Sequence, residues 1–291
     1  MNSTNAMLDQ AAVAQYWRDG YLFPRRVMSP QEAADWRARF NELGEIAAST
    51  DLPEPFENYC RANLNVVSTA AAELAQHPGI VDLVSSVIGP NVICWMVELI
   101  VKEPHTDKIL SVHQDLTYWG FDSADSSVTA WLALSPVADE NGAMHFVTGS
   151  HRLGAVEHRD TFGQNNLLSR GQEVSVPFDP NDEVVVALEP GEVSLHHGLM
   201  FHGSGPNATD QARVGLVIRY VSPAVAQVVG RTDYGMVVRG TNTTGNFEPI
   251  AAPASDFDLA ALQLFEQISA VQSAPLQAGA AQPMSYTRAL E

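Results

Sequence analysis

The chain has 291 residues, 34 of them acidic and 16 basic, for a formal net charge of −18. A surface this acidic repels phosphate backbones and anionic lipid headgroups, which argues against nucleic acid and membranes as partners. Two cysteines exclude a disulfide framework or zinc cluster, and no apolar run approaches the ~20 residues of a membrane span.

Residues 1–291 are expected to form one domain: a helical N-terminal scaffold over 1–90, a β core over about 91–222, and a C-terminal helix and tail over 223–291. The N-terminus lacks the basic and then apolar run of a signal peptide, so the cytoplasm is the expected compartment, with Cys60 and Cys94 as small buried residues. The expected partner is a small-molecule substrate. Nothing in the chain specifies an oligomeric state.

In chain order, the spacing of Ala12, Val13, Tyr16 and Trp17 predicts a helix over Asp9–Arg18, stopped by Asp19-Gly20. Tyr21-Leu22-Phe23 reads as a short strand cut off by Pro24. Ser29-Pro30 opens a second helix running to about Ala48, because serine caps and proline suits the first helical position. Thr50–Asn58, with Pro53 and Pro55, reads as a loop, and Ser68–Gln76 and Pro78–Ile88 as helices.

The period then changes. Val92–Val101, Ile109–Asp115, Val128–Leu134, Ala143–Val147, Val184–Leu188, Glu192–His196 and Val214–Val221 read as short strands between Pro, Gly, Asn and Asp turns, the pattern of a sandwich or jelly roll. Asp139-Glu140-Asn141-Gly142 predicts a type I′ hairpin turn, since Asn-Gly accepts positive φ. The polar stretch 153–182 is long for a loop and is expected over the barrel mouth. Leu259–Val271 looks helical, and the Ala/Gln/Pro-rich end from about Ala274 looks partly disordered.

The chemistry concentrates at His113-Gln114-Asp115. Residues two apart on a strand share a face, so the imidazole and the carboxylate can point at a common ion. A second imidazole from a distant strand, His202, would complete a 2-His-1-carboxylate facial triad, a set diagnostic of non-haem Fe(II) oxygenases that leaves three coordination positions open. His105, His145, His151, His196 and His197 compete for the metal, but neighbouring strand residues face opposite ways, so His196 and His197 cannot both face it.

Arg213 can grip a carboxylate with two parallel hydrogen bonds, and Ser204 can add a third. If Arg213 faces inward, Gly215 and Val217 do too. Tyr118, Trp119 and Phe121 could build a substrate wall or simply pack the core. Arg170, with Arg61, could hold an anionic group or be a solvated loop charge.

The chain resembles the phytanoyl-CoA dioxygenase family of Fe(II)/2-oxoglutarate oxygenases. The resemblance rests on Tyr16-Trp17-Arg18-Asp19-Gly20-Tyr21, His113-Gln114-Asp115, Trp131-Leu132-Ala133-Leu134, Glu140-Asn141-Gly142-Ala143-Met144, Gly149-Ser150-His151 and His202-Gly203-Ser204-Gly205-Pro206-Asn207, with Arg213 eleven positions after His202 (213 − 202 = 11). It implies a mainly β fold with flanking α-helices: a double-stranded β-helix, that is, a cupin-like jelly roll. In it His113, Asp115 and His202 hold Fe(II), and Arg213 and Ser204 hold 2-oxoglutarate.

Lys102 is a weaker candidate for the same pocket, against a solvated lysine. With O₂ the implied reaction releases succinate and CO₂ and hydroxylates an aliphatic C–H of a small molecule. Related halogenases replace the carboxylate, so an intact Asp115 points away from halogenation. Two other readings stay open: a metal-binding cupin enzyme that does not use 2-oxoglutarate, and a non-catalytic binding module on the same barrel.

Overall fold

A computed structural model describes residues 7–168, 170–230 and 232–277, with the side chains of Tyr118, Leu276 and Gln277 outside the described set. Asp9 caps α1 (Gln10–Asp19) by accepting from the N–H of Ala12, and Gly20, at φ 86°, ends it. Ser29 caps α2 (Pro30–Ser49) by accepting from the N–H of Glu32.

Between them β1 (Tyr21–Arg26) continues through Pro24 instead of ending there. The strand lies on the outer edge of its sheet, and its register shifts between Leu22 and Arg25, so the missing N–H of Pro24 disturbs little pairing. Two short helices, α3 (Phe56–Arg61) and α4 (Leu64–Val67), occupy a stretch whose periodicity does not announce them. The expected α5 (Thr69–Ala75) and α6 (Pro78–Ile88) follow.

The remaining strands are β2 (Val92–Lys102), β3 (Leu110–His113), β4 (Ser127–Ala133), β5 (Met144–Val147), β6 (His158–Asp160), β7 (Gln172–Val174), β8 (Glu183–Val186), β9 (Glu192–His196), β10 (His202–Ser204), β11 (Arg213–Val221), β12 (Asp233–Arg239) and β13 (Phe247–Pro249). A seven-stranded sheet runs β1-β9-β4-β11-β2-β12-β13, and a four-stranded sheet runs β3-β10-β5-β8. From β2 to β5 and again from β8 to β11, each strand joins the sheet opposite its predecessor. That wiring is the expected double-stranded β-helix.

The expected hairpin at Asp139–Gly142 is not formed. Its flanking strands, β4 and β5, lie in different sheets, and Asp139–Asn141 make a 3₁₀ turn in which Gly142 has positive φ and Asn141 does not, whereas a type I′ turn needs two such residues. The sheet also outgrows 91–222, taking in β1 at one edge and β12 and β13 at the other.

Alternation along β11 decides what faces where. Val214, Leu216, Ile218 and Tyr220 pack under the N-terminal helices with Tyr16, Phe40, Leu74 and Val84, while Arg213, Val217 and Arg219 face a cavity on the other side. The helix α7 (Leu259–Gln277) runs past Val271 and through Pro275; the rest of the Ala/Gln/Pro-rich end, from 278, lies outside the described residues. Gln272 of α7 and Trp95 of β2 both donate to the buried carboxylate of Asp233, at 3.1 and 2.7 Å. No described helix is long and apolar enough to cross a membrane.

Candidate metal and co-substrate site

His113 ends β3 and His202 begins β10, directly opposite it in the antiparallel ladder, with ring centroids 4.2 Å apart. Each Nδ1 lies against a backbone carbonyl two residues earlier, Ser111 at 2.8 Å and Met200 at 3.0 Å. An Nδ1–H donating to that carbonyl fixes the tautomer and leaves the Nε2 lone pair for a metal.

Asp115 arrives by a different route from the one its spacing suggests. The strand stops at His113, and Asp115 opens a 3₁₀ turn over Asp115–Tyr118, so the turn and not strand alternation brings its carboxylate round. Its Oδ1 lies 3.6 Å from His113 Nε2 and 3.9 Å from His202 Nε2. Ligand atoms of the three residues fall within 4.8 Å of one another, the one such trio found among the described residues.

Burial by itself would raise the Asp115 pKa, but Arg219 and the imidazoles of His113, His196 and His202 outweigh it and hold the carboxyl well below its usual range. Burial and the neighbouring His113 push the His202 imidazole well below its ordinary value. An ionised carboxylate beside a neutral imidazole is the form in which these groups bind a divalent metal. The donor set therefore suits Fe(II).

The competing histidines are engaged elsewhere, with one exception. His105 pairs with Asp210, His145 with Asp139 and His197 with Asp125, while His151 Nε2 meets the Trp17 carbonyl. His196, facing opposite to His197 as alternation requires, lies in the site, its Nε2 3.7 Å from Asp115 Oδ2.

Arg213 stands opposite Lys102 across the β11–β2 ladder. Its side chain is buried, its guanidinium carbon 5.2 Å from the Trp131 ring centroid, and Nη1 donates to the Gly142 carbonyl at 2.8 Å. Nε and Nη2 are buried without a hydrogen-bond partner among the described residues. Lys102 is not a solvated lysine: it is 1% exposed, and Nζ donates to Ser204 Oγ at 2.7 Å and to the Gly205 carbonyl.

Burial, reinforced by Arg213, pushes Lys102 down to about 7, and burial pushes Arg213 down to about 10. Neither forms an ion pair with a carboxylate of the described residues. Buried donors left unpaired cost about 1–3 kcal/mol each, more when charged, and a carboxylate at this end of the cavity would satisfy them.

Gly215 makes room for this arrangement, since a Cβ there would overlap the Trp131 indole. Gly215→Ala is expected to displace Trp131 and destabilise the fold by about 1–3 kcal/mol. Thermal denaturation should show a melting point lower by about 3–10 °C.

Both groups open onto one cavity of about 630 Å³, whose wall includes Trp119, Met96, Phe56, Leu168 and Arg61. Leu167, Leu168 and Gln172 bring part of the 153–182 segment, expected over the barrel mouth, onto that wall. Phe121 packs behind it with Trp95 and Phe247. The side chain of Tyr118 lies outside the described residues. Arg170 is not among the residues lining the cavity; its guanidinium grips Asp160 of β6 at 2.7–3.0 Å. Cys60 is half-buried and on the cavity wall, not a core residue.

Sequence reasoning misses Glu98, Thr129 and Arg219. Arg219 pairs with the half-buried Glu98 at 2.7 Å and stands 3.5 Å from Asp115 Oδ1. Its even spacing from Arg213 along one strand is the signal available for it.

Residues 16–215 match the family model described as phytanoyl-CoA dioxygenase. A probable phytanoyl-CoA dioxygenase of Caenorhabditis elegans is 26% identical, over 74% of this chain and 75% of that one. The peroxisomal phytanoyl-CoA dioxygenase of Rattus norvegicus is 30% identical, over 71% of this chain and 66% of its own length. Among solved structures, the apo form of the non-heme monooxygenase ThoJ superposes with a TM-score of 0.80 at 31% identity, covering 92% of this chain and 98% of that one.

Proposed function

Because the chain belongs to the phytanoyl-CoA dioxygenase family of Fe(II)/2-oxoglutarate-dependent dioxygenases, we propose that His113, Asp115 and His202 hold its iron. Arg213, Ser204 and Lys102 take the distal carboxylate of 2-oxoglutarate, and the reaction hydroxylates an aliphatic C–H of a compact small molecule. The observation that carries this reading is the pair of unspent donors on the buried Arg213, which share a cavity with the triad.

Bound iron and 2-oxoglutarate together supply the redox chemistry: one atom of O₂ goes into succinate as CO₂ leaves, and the other into the substrate as a hydroxyl. The protein's part is placement. Asp115, His113 and His202 would hold the ion and would leave positions on it open to 2-oxoglutarate and O₂. Arg213 Nε and Nη2 offer a planar fork to a carboxylate, with Trp131 behind it. Trp119, Phe56 and Leu168 present an apolar wall to the substrate, and Arg61 stands on it without an ion pair among the described residues.

About 630 Å³ has to take co-substrate and substrate together, so an enclosed substrate is smaller than an acyl-CoA thioester. The exposed Glu57 and Glu103 on the wall also disfavour a nucleotide's phosphates. A cupin enzyme that does not use 2-oxoglutarate would leave the Arg213 donors unspent.

The test has two parts. Anaerobic addition of Fe(II) and then 2-oxoglutarate is expected to give a visible metal-to-ligand charge-transfer band. In air, a screen of small acids, amino acids, phosphonates, terpenoid-like compounds and acyl-CoA thioesters is expected to find a compact compound that stimulates succinate release. A folded protein that gives no band contradicts the reading.

Lys102 adds a pH dependence. Below its value of about 7 it is already charged; above it, binding a carboxylate draws a proton back onto the amine. The affinity for 2-oxoglutarate is therefore expected to fall between pH 7 and 9, by at most about tenfold per unit. Calorimetry in buffers of different ionisation enthalpy reads the proton uptake directly. A pH-independent affinity with no uptake removes Lys102 from the carboxylate's surroundings.

A further inference from the structure

The two oxygens of Asp115 face different surroundings. Oδ1 is the one nearest His113 and His202. Oδ2 points to the large sheet, where Thr129 Oγ1 donates to it at 3.2 Å and His196 Nε2 stands 3.7 Å away. Thr129 and His196 are directly opposite each other in the β4–β9 ladder. One cross-strand pair thus aims two side chains at a single carboxylate oxygen brought in by the other sheet.

His196 is not explained by packing alone. It is 1% exposed, with the rings of Phe146 and His202 at 5.0 and 4.7 Å, and neither ring nitrogen has a hydrogen-bond partner among the described residues. A phenylalanine would fill that space without leaving two buried polar atoms unpaired, which is costly in a packed interior. With no partner fixing Nδ1, the ring is free to carry its proton on Nε2, the atom facing Oδ2.

We propose that Thr129 and His196 form a two-donor clamp on Asp115 Oδ2 that keeps the carboxylate a one-oxygen ligand and so preserves an open face on the iron. His196 is in this sense a positioning residue. The inference rests on the iron reading above. Thr129 already donates to Oδ2, and the imidazole closes its remaining gap once Oδ1 is committed to the ion.

The test titrates the full chain with Co(II) by calorimetry, anaerobically, and records the Fe(II)–2-oxoglutarate band. His196→Phe, which keeps the ring and removes the donor, is expected to weaken Co(II) binding about 10–100-fold and shift the band, while His196→Gln, which restores an N–H, stays within about threefold of wild type. Thr129→Val is expected to weaken binding and Thr129→Ser to retain it.

A folded His196→Phe with wild-type affinity overturns the clamp. So does loss of Co(II) binding in both His196 variants, which makes His196 a ligand itself. If His196→Phe does not fold, the threonine pair decides, and equal affinities for Thr129→Val and Thr129→Ser overturn the proposal. A wild-type chain that takes up no Co(II) overturns the iron reading as a whole, and that outcome is distinct from one in which wild type and His196→Phe bind equally.

Discussion

Arg213→Ala is expected to raise the dissociation constant of 2-oxoglutarate by about 30–4,000-fold. The estimate follows from the cost of truncating one partner of a buried, hydrogen-bonded charge pair, about 2–5 kcal/mol, with each 1.4 kcal/mol worth about tenfold. Arg213 is 1% exposed, and two of its guanidinium nitrogens have no hydrogen-bond partner among the described residues, so little competes with a carboxylate for them.

Metal affinity should be nearly unchanged in that variant, since Arg213 makes no hydrogen bond or ion pair with the triad. Arg213→Lys keeps the charge and loses the planar fork, and is expected to fall between wild type and alanine. The charge-transfer band, titrated with 2-oxoglutarate at saturating Fe(II), measures both variants. A band that saturates in Arg213→Ala at wild-type concentrations excludes this end of the cavity as the carboxylate site.

Asp115→Ala is expected to cost the metal more than any other single change. It removes the one anionic group of the proposed triad and leaves two imidazoles beside Arg219, whose Nη2 already stands 3.5 Å from Oδ1. The remaining charge at the site is then repulsive to a dication. Outer-sphere partners of a metal are typically worth 10–100-fold in affinity, so loss of the carboxylate is expected to exceed about 10²-fold. Calorimetric titration with Co(II) measures it. Retention of wild-type affinity in a folded Asp115→Ala variant rules the carboxylate out as a ligand.

The clustering of His113, Asp115 and His202 is legible in the sequence because residue type and spacing carry most of its chemistry. His113 and Asp115 do converge, yet the strand alternation that suggests it is not the cause, because a 3₁₀ turn intervenes at Asp115. The inward face of β11 is legible from alternation alone, which places Arg213 and Val217 correctly.

Whatever depends on the other sheet or on a remote partner is not legible. Asn141-Gly142 favours a turn, but local chemistry says nothing about which sheet receives the next strand. Arg170 reads as a free loop charge because its partner, Asp160, lies across a hairpin that no motif announces. Thr129 and His196 are 67 positions apart (196 − 129 = 67) and meet only through the ladder.

The most direct measurement is a crystal structure of the chain prepared anaerobically with Mn(II) and 2-oxoglutarate, located by the metal's anomalous scattering. A single peak at ligand-bond distance from His113 Nε2, His202 Nε2 and Asp115 Oδ1, with a carboxylate of 2-oxoglutarate on Arg213 Nε and Nη2, is the predicted result. A metal held by other side chains, or a 2-oxoglutarate that does not touch Arg213, would contradict it.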